Sequence, residues 1–373
     1  MGKEVVNQKQ AITIMATFII GSSTILGSGV KAKQDAWLAI IIAMGIFSLV
    51  IPIYGRICSI YPGKNIYQVM ELLLGKVAGK IISLLFVWYA FFLGALVIRD
   101  ISEFARTVSL PETPECIFAF FAVLLMILTV RGGVELLARF LGIFFPIYIL
   151  MILTVTFVSI PFFELKNLKP FLYDGIKPVL GASLEVFSFP FAETVLFVCI
   201  LEHLRKNGSP YKTYYVSMLI GGAILLIISV RSILVLGFPM WQMQNFASYA
   251  ATRLIRIGDF FQRIEASVAI VFIISGYTKA TICLFSACKG IASIFNIKEY
   301  KHIAAPIGIL MTQLSIIVYD NGAELAEWAA TIYPYFAFPF QVIIPLIIWI
   351  IAEIKIRMQK ASPSQSVEEK SVS

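Results

Sequence analysis

Three charged residues lie inside long apolar stretches of the chain: Glu185, Glu193 and Lys279. A charge in an apolar stretch is costly unless it has a partner or a role, such as binding a ligand or moving a proton. Glu193 and Lys279 could form an ion pair that only fixes helix packing. Glu193 could equally be a carboxyl group linked to proton movement, and both interpretations stay open at this point.

Two apolar stretches contain residues that break a helix. Pro190, near Glu193, lacks an N–H and clashes with the preceding helical turn. Residues 21–29 include three glycines and three serines, which also weaken a helix. Broken helices expose N–H groups that can hold a carboxylate and carbonyl groups that can hold an ammonium. The alternative is that small residues at 21–29 merely allow close helix packing.

These breaks predict a ligand-binding site, with two tyrosines lining a central cavity. The predicted ligand-binding residues are Gly21, Ser22, Ser23, Thr24, Gly27, Phe187, Ser188, Pro190, Glu193, Tyr89 and Tyr277.

Catalytic and metal chemistry are not indicated. The sequence contains neither HExxH nor GxSxG, and its five cysteines form no CxxC pair. The two histidines, His203 and His302, fall in short polar connections. We therefore expect no catalytic residue, no metal site and no cofactor, and we do not expect an enzyme.

Composition identifies the elements that must position these residues. Of the 373 residues, 59% are hydrophobic and 14% are charged, whereas soluble domains have roughly 25% charged residues. Such a chain needs lipid around it, which predicts an all-α polytopic membrane protein. A net charge of +8 would suggest nucleic acid as partner of a soluble protein. Here it indicates basic connections beside anionic membrane lipid, and no nucleic-acid partner is expected.

Ten stretches are long enough to cross a bilayer as helices. They lie near 10–30, 36–58, 78–102, 115–130, 136–160, 178–200, 213–237, 264–288, 303–319 and 332–353. Their connections are short, so we predict one transmembrane domain over 1–360. The Ser- and Glu-rich tail, 361–373, is expected to be a disordered cytoplasmic segment.

Lysine and arginine are more frequent in connections on the N-terminal side, which favours cytoplasmic N- and C-termini. The connection between spans nine and ten has acidic residues and is expected to be an external loop. Arg99, Asp100 and Arg231 lie closer to span ends, and we expect them to extend toward the interface. Residues 61–76 begin with a Pro-Gly turn and then show helical apolar spacing, predicting a short interfacial amphipathic helix.

The breaks fall in spans one and six, the first helices of two five-helix halves. Transporters built from inverted repeats have discontinuous helices in such matching positions. At these residues the sequence resembles the B subunit of the Ger-type nutrient germinant receptors of spore-forming bacteria. Besides the breaks, the resemblance rests on Gln34-Asp35-Ala36-Trp37, Tyr61-Pro62-Gly63-Lys64, Arg131-Gly132, Phe189-Pro190-Phe191-Ala192-Glu193 and Phe260-Phe261-Gln262-Arg263. Lys33 and Ala192 stand where that resemblance leads us to expect glycine.

The resemblance implies a LeuT-like five-plus-five inverted repeat within the amino acid–polyamine–organocation transporter superfamily. It also implies sensing of an amino acid or sugar germinant in the inner spore membrane, beside an A-type membrane subunit and a C-type lipoprotein. An ion-coupled secondary amino acid transporter would use the same site and is the alternative function. A scaffold whose site no longer works is a third possibility.

Overall fold

Sixteen helices, α1 to α16, follow one another through the computed structural model. It describes residues 4–108, 111–255 and 264–361, apart from the side chains of 359–361. In chain order the helices are Gln8–Ile20, Ser23–Leu26, Ala36–Ile60, Ile66–Leu74, Lys76–Val108, Glu115–Gly132, Val134–Ser159, Ile176–Val186, Phe197–Ile200, Pro210–Gln242, Ala247–Arg253, Glu265–Ile294, Ala304–Ile317, Gly322–Thr331, Tyr333–Phe338 and Ile344–Ala361. The quoted Phe260-Phe261-Gln262-Arg263 and residues 362–373 of the predicted tail lie outside the described residues.

Nine helical segments of the described ranges are long and apolar enough to cross a membrane. Tyr300–Ile317 and Gly322–Thr331, which are bent by 100° at a short break, pass the same test together and bring the number to ten if the pair is one span. Each predicted span therefore coincides with a helix or a broken helix, and the predicted all-α fold of about ten spans is confirmed. The acidic segment after residue 319 was expected to be a loop, but it contains α14 (Gly322–Thr331), the second member of this bent pair.

Span one, made of α1 and α2, is broken in its Gly- and Ser-rich segment. α1 ends at Ile20, and Gly21 follows with a φ of 25°, a conformation that L-residues rarely adopt. α2 is one turn long and ends at Leu26, and the next residue, Gly27, has a φ of 75°. The backbone therefore leaves the helical path twice between these two glycines.

Span six, made of α8 and α9, is broken around its proline. Phe189 has a φ of −131° and a ψ of 110°, which is extended backbone inside an otherwise helical segment. Pro190 then supplies no N–H for the helical ladder. The chain returns to α9 through a 3-10 turn, Ala192–Leu196. Glu193 thus projects from a tight turn and not from a regular helix.

Spans one, six and eight are mostly enclosed by other helices, whereas spans five and ten lie at the periphery. α12, which forms span eight, packs along α5, and α10 packs along α1 and α3. Large apolar side chains remain exposed on α6 and α7, including Phe120, Phe121, Ile143 and Phe157. An outer surface of this kind suits contact with lipid hydrocarbon.

The predicted amphipathic helix is present as α4. The Asn65 side chain accepts a hydrogen bond from the Gln68 N–H (3.0 Å), and the Gln68 side chain accepts one from the Asn65 N–H (3.2 Å). This reciprocal pair starts the helix. Ile66 and Met70 are buried on the side of α4 that packs against α5. Its position at a lipid interface stays a prediction.

The N-terminal segment ties one end of the bundle together. The Val6 N–H donates to the His203 carbonyl (2.8 Å), and the Arg205 N–H donates to the Val6 carbonyl (3.0 Å). The Glu4 carboxylate lies 2.9 Å from Lys301 Nζ. We refer to this end as the N-terminal side of the bundle and to the other end as the opposite side.

Candidate functional site

An ion pair between spans six and eight lies at the centre of the bundle. Lys279 Nζ is 2.5 Å from Glu193 Oε2, and both side chains are 0% exposed. The ammonium and the carboxylate oxygen are in contact but do not have the angles of a hydrogen bond. The Tyr333 hydroxyl donates to the other carboxylate oxygen, Oε1. Lys279 Nζ also lies 4.0 Å from the centroid of the Phe189 ring, so the cation has an aromatic face beside it.

A polar network from span ten surrounds this pair. Gln341 Nε2 donates to the Tyr89 hydroxyl (3.0 Å) and to the Ser188 carbonyl (2.8 Å). The Ser188 hydroxyl donates to Gln341 Oε1 (3.0 Å). Of these residues the sequence predicted Tyr89 and Ser188 as site residues but missed Gln341 and Tyr333. A single glutamine inside an apolar run was the available signal for Gln341.

The break of span one approaches the same ion pair. The Gly21 carbonyl accepts a hydrogen bond from the Ser275 hydroxyl of span eight (3.1 Å). A Cβ atom on Gly21 would lie 2.8 Å from Cδ of Lys279, so the lysine side chain passes directly over this glycine. Ser22 and Ser23 are both buried next to it, and no hydrogen-bond partner is found for the Ser23 hydroxyl among the described residues.

The other predicted break residues are also enclosed. The Thr24 hydroxyl donates to the Gly21 carbonyl (2.9 Å), which turns it back onto its own helix. Phe187 and Pro190 are buried in the break of span six. The structure therefore brings the two breaks together around Glu193 and Lys279.

Tyr277 is not brought to this centre. Its hydroxyl bonds to the Thr129 hydroxyl and lies 3.4 Å from the Leu125 carbonyl, both in span four. The reason is helical geometry, because two residues along a helix separate side chains by about 200°. Tyr277 and Lys279 consequently point to opposite sides of α12.

Glu185 is placed well away from the other two intramembrane charges. It pairs with Lys31, which follows span one, and its side chain is 19% exposed. Lys31 Nζ also donates to the Ala330 carbonyl of α14 (2.8 Å). This set links span six, the segment after span one and α14 on the opposite side of the bundle.

The expectation that Arg99, Asp100 and Arg231 extend to an interface is wrong. Their exposed fractions are 5%, 8% and 2%. Arg99 pairs with Glu115 (2.8 Å), and Arg231 Nη2 lies 2.5 Å from the Ser248 hydroxyl oxygen. Position along a span does not reveal which way a side chain faces: Arg99 and Arg231 face neighbouring helices, and Asp100 faces a cavity.

A cavity of about 330 Å³ lies between the ends of the two broken spans on the opposite side. Span one contributes Gly27, span six contributes Glu185 and Phe189, and α5 contributes Asp100. α14 covers another part of its wall. Cavities of roughly 300 Å³ or more, mostly apolar with a few polar groups, are typical of small-molecule sites.

Two aromatic rings separate this cavity from the central ion pair. Phe189 and Tyr333 both line the cavity, and their ring centroids are 6.3 Å apart at an interplanar angle of 89°. The same two side chains contact Lys279 and Glu193 on their other side. Gly27 and Glu185 are thus cavity residues, whereas the remaining predicted break residues lie beyond this partition or beside it.

The sequence matches known spore proteins over nearly its whole length. A profile of the family described as "Spore germination protein" matches residues 5–322. Spore germination protein KB of Bacillus subtilis is 27% identical over 372 residues, which cover 99% of this chain and 100% of that one. Spore germination protein YndE of the same organism is 24% identical and covers 78% of this chain and 81% of its own.

Two solved transporters share the fold. MhsT in complex with L-phenylalanine has a TM-score of 0.66 at 13% identity, covering 94% of this chain and 89% of that chain. Mhp1, a nucleobase-cation-symport-1 family transporter, has a TM-score of 0.62 at 14% identity, covering 90% and 79%. At such identities the likeness establishes the LeuT-like fold alone. Together with the family match and the apolar helices, it shows that this chain is an integral membrane protein that belongs to the spore germination protein family.

Proposed function

We propose that this chain is the nutrient-sensing membrane subunit of a spore germinant receptor, and that it binds a small amino acid or sugar between spans one and six. The observation that carries the proposal is the cavity of about 330 Å³ walled by the ends of both broken spans. A spore germination protein with a solute-sized cavity at its discontinuous helices has a place for a nutrient to act.

The ligand would act by changing the relative positions of the helices around the cavity. Gly27, Phe189 and α14 belong to elements that are short or broken, so their backbones can shift without bending a regular helix. A solute that binds one arrangement more tightly shifts the population toward it. In this proposal an A-type membrane subunit and a C-type lipoprotein of the receptor detect that shift.

The predicted break residues remain part of the proposed site. Gly21, Ser22, Ser23 and Thr24 would offer backbone and hydroxyl groups to a ligand or water that passes the aromatic partition. Glu193 and Lys279 would form its charged floor.

The location of the protein is proposed on the same basis. Residues 1–360 would form a single domain in the inner spore membrane. Both termini would face the cytoplasm, because basic residues are concentrated on the N-terminal side. The cavity would then face away from the cytoplasm, toward arriving nutrients.

The test is to reconstitute the purified chain in liposomes with a panel of labelled amino acids and sugars. Saturable binding without accumulation inside the vesicles is the result expected of a sensing subunit. Accumulation that depends on a proton or sodium gradient would instead establish the alternative, an ion-coupled amino acid transporter. If neither occurs, the same assay with co-reconstituted A-type and C-type subunits decides, and failure there contradicts the proposed function.

A further inference from the structure

Among the described residues, the buried centre contains two acidic side chains and one basic side chain. Glu193 and Asp100 are two buried carboxylates, and Lys279 is the cation near both of them. Lys279 is in contact with Glu193, at 2.5 Å. Asp100, only 8% exposed, has no ion pair with any residue in the described ranges, and its neighbour is the Ser22 hydroxyl.

Every other charged residue in the cavity wall has a partner of opposite sign. Lys31 and Glu185 pair with each other at one edge. Glu103 lies 3.8 Å from Arg99. Asp100 is therefore the charged wall residue that has no counter-charge in contact among the residues that the structure describes. A buried carboxylate without a counter-charge is costly, and a cation delivered by a ligand would remove that cost.

The side chains around Asp100 indicate that the ligand must also have an apolar part. Leu93, Leu96 and Val97 lie on the same side of α5 and line the cavity with it. Phe246 and Leu325 line the cavity from the connection after α10 and from α14. An apolar body would contact these side chains, while a cationic group at one end would reach Asp100.

We propose that the cavity binds a small solute with one primary ammonium group and a compact apolar body, and that Asp100 receives the ammonium. This inference rests on the proposed function and narrows its ligand class. Glu193 is not the amine acceptor, since its charge is already paired with that of Lys279. A sugar has hydroxyl groups but no cation and would leave the charge of Asp100 uncompensated. Apolar amino acids and simple alkylamines share the required chemistry.

The test measures binding to the full chain in lipid nanodiscs by titration calorimetry. The probes are L-valine, its decarboxylated analogue isobutylamine, its hydroxy analogue 2-hydroxy-3-methylbutanoate, and glucose. The same comparison is repeated with the alanine and leucine sets, so that cavity fit does not decide the outcome. If both L-valine and isobutylamine bind, the site recognises the ammonium group alone. If L-valine binds and isobutylamine does not, the site also recognises the carboxylate.

Asp100→Asn removes the charge with little change of shape. It is expected to weaken ammonium binding about tenfold or more, as for loss of a charge-assisted hydrogen bond. Asp100→Glu keeps the charge and should retain more binding than Asp100→Asn. Asp174→Asn is the matched control, because Asp174 pairs with Lys33 outside this cavity. Elution as a single species in size exclusion shows that each variant is folded.

Two results would overturn the inference and differ in what they mean for the function. If the hydroxy acid or glucose binds and the ammonium probes do not, or if Asp100→Asn binds amines like wild type, the amine assignment is wrong and germinant sensing stands. If no probe binds and spores carrying Asp100→Asn germinate at wild-type nutrient concentrations, both the amine site and the proposed cavity function fail.

Discussion

Glu193 and Lys279 are oppositely charged, fully buried and in contact, and their energetic cost is the first constraint on this site. Taking both charges out of water is repaid only by close contact and further hydrogen bonds, which Tyr333 supplies to Glu193. Because Gly21 lies against the lysine stem, the pair also positions the break of span one. A ligand that reached this centre would have to compete with an interaction that the protein already makes.

Removing one member of the pair should destabilise the protein more than removing both. Glu193→Gln leaves the Lys279 ammonium without its contact partner and is expected to cost about 3 kcal/mol or more. The double variant Glu193→Gln/Lys279→Met should recover most of that loss. Thermal unfolding of the single and double variants in detergent measures the difference. A double variant less stable than either single variant would contradict this account of the pair.

The same double variant separates the two roles left open by the sequence. If it is stable and spores carrying it still respond to nutrients, the pair is a packing element. If it is stable but the spores no longer respond, the pair takes part in ligand sensing or proton movement.

Residue types alone predicted part of this centre. The other part depends on the direction in which each side chain points from its helix. A pair between Glu193 and Lys279 was one of two interpretations of these isolated, opposite charges in apolar runs. Tyr277 was placed at the centre because of its chemistry, although its spacing from Lys279 sets it on the other side of α12. Asp100 was assigned to an interface from its distance along the span. Its burial depends on which helices surround α5, which the sequence alone does not show.

At the scale of elements, Gly21 permits the break of span one. Alanine there would have to adopt a φ near 25°, with Cβ 2.7 Å from the Phe18 carbonyl oxygen and 2.8 Å from Cδ of Lys279. We expect Gly21→Ala to cost about 2 kcal/mol or more, combining strained backbone with overpacking. Chemical unfolding in detergent measures the loss.

Gly45→Ala is the matched control for that substitution. Gly45 lies within α3, and a Cβ there meets no atom within 4 Å. Alanine is the better helix former, so stability should stay the same or rise by up to about 1 kcal/mol. Equal stability of the Gly21→Ala and Gly45→Ala variants would show that the break does not require glycine.

Ten spans and both breaks could be predicted because length, hydropathy, Gly and Pro act locally. α14 was missed because its acidic residues were interpreted as a loop. The signal was Asn321, whose side chain accepts a hydrogen bond from the Glu324 N–H (3.0 Å) and caps the helix. Lys33 has a φ of 56°, a conformation that favours glycine. Its backbone geometry thus gives a physical reason for the glycine that the family resemblance led us to expect there.

At the scale of the whole molecule, the two ends of the bundle differ. The N-terminal side is joined by Glu4, whose carboxylate accepts hydrogen bonds from Tyr300 (2.9 Å) and the Val134 N–H (3.3 Å) and pairs with Lys301. The opposite side contains the cavity, with Lys31 linking α14 to Glu185. A displacement of α14 would therefore change the cavity without breaking the contacts of Glu4 on the N-terminal side.

The contacts of Glu4 on the N-terminal side should make the free energy of unfolding depend on pH. Burial tends to raise the pKa of Glu4, but hydrogen bonds from Lys301 and Tyr300 and the charges of His203 and Lys301 outweigh it, so the pKa lies below its ordinary 4.5. A lowered pKa means that the folded state binds the proton more weakly than the unfolded state. The resulting stabilisation is present above about pH 4.5 and is lost as the pH falls through the pKa of the folded state.

Glu4→Gln should remove that contribution. Its deficit in unfolding temperature relative to wild type is expected to be largest near neutral pH and to shrink on acidification below about pH 4.5. Glu299→Gln, in the connection that precedes Tyr300, is the control and should leave the wild-type pH profile in place. A Glu4→Gln deficit that stays constant from neutral to acid pH would contradict the role of this carboxylate.

The most direct test of nutrient sensing through the cavity is a germination dose–response of spores carrying Ala329→Trp. Ala329 of α14 lines the cavity, and an indole there would fill the proposed ligand space. Ala323→Trp, on the same helix but outside the cavity wall, is the control. With equal protein levels, Ala329→Trp should raise the half-maximal nutrient concentration about tenfold or more, whereas Ala323→Trp should leave it unchanged. Germination of the Ala329→Trp spores at the wild-type concentration would contradict the account.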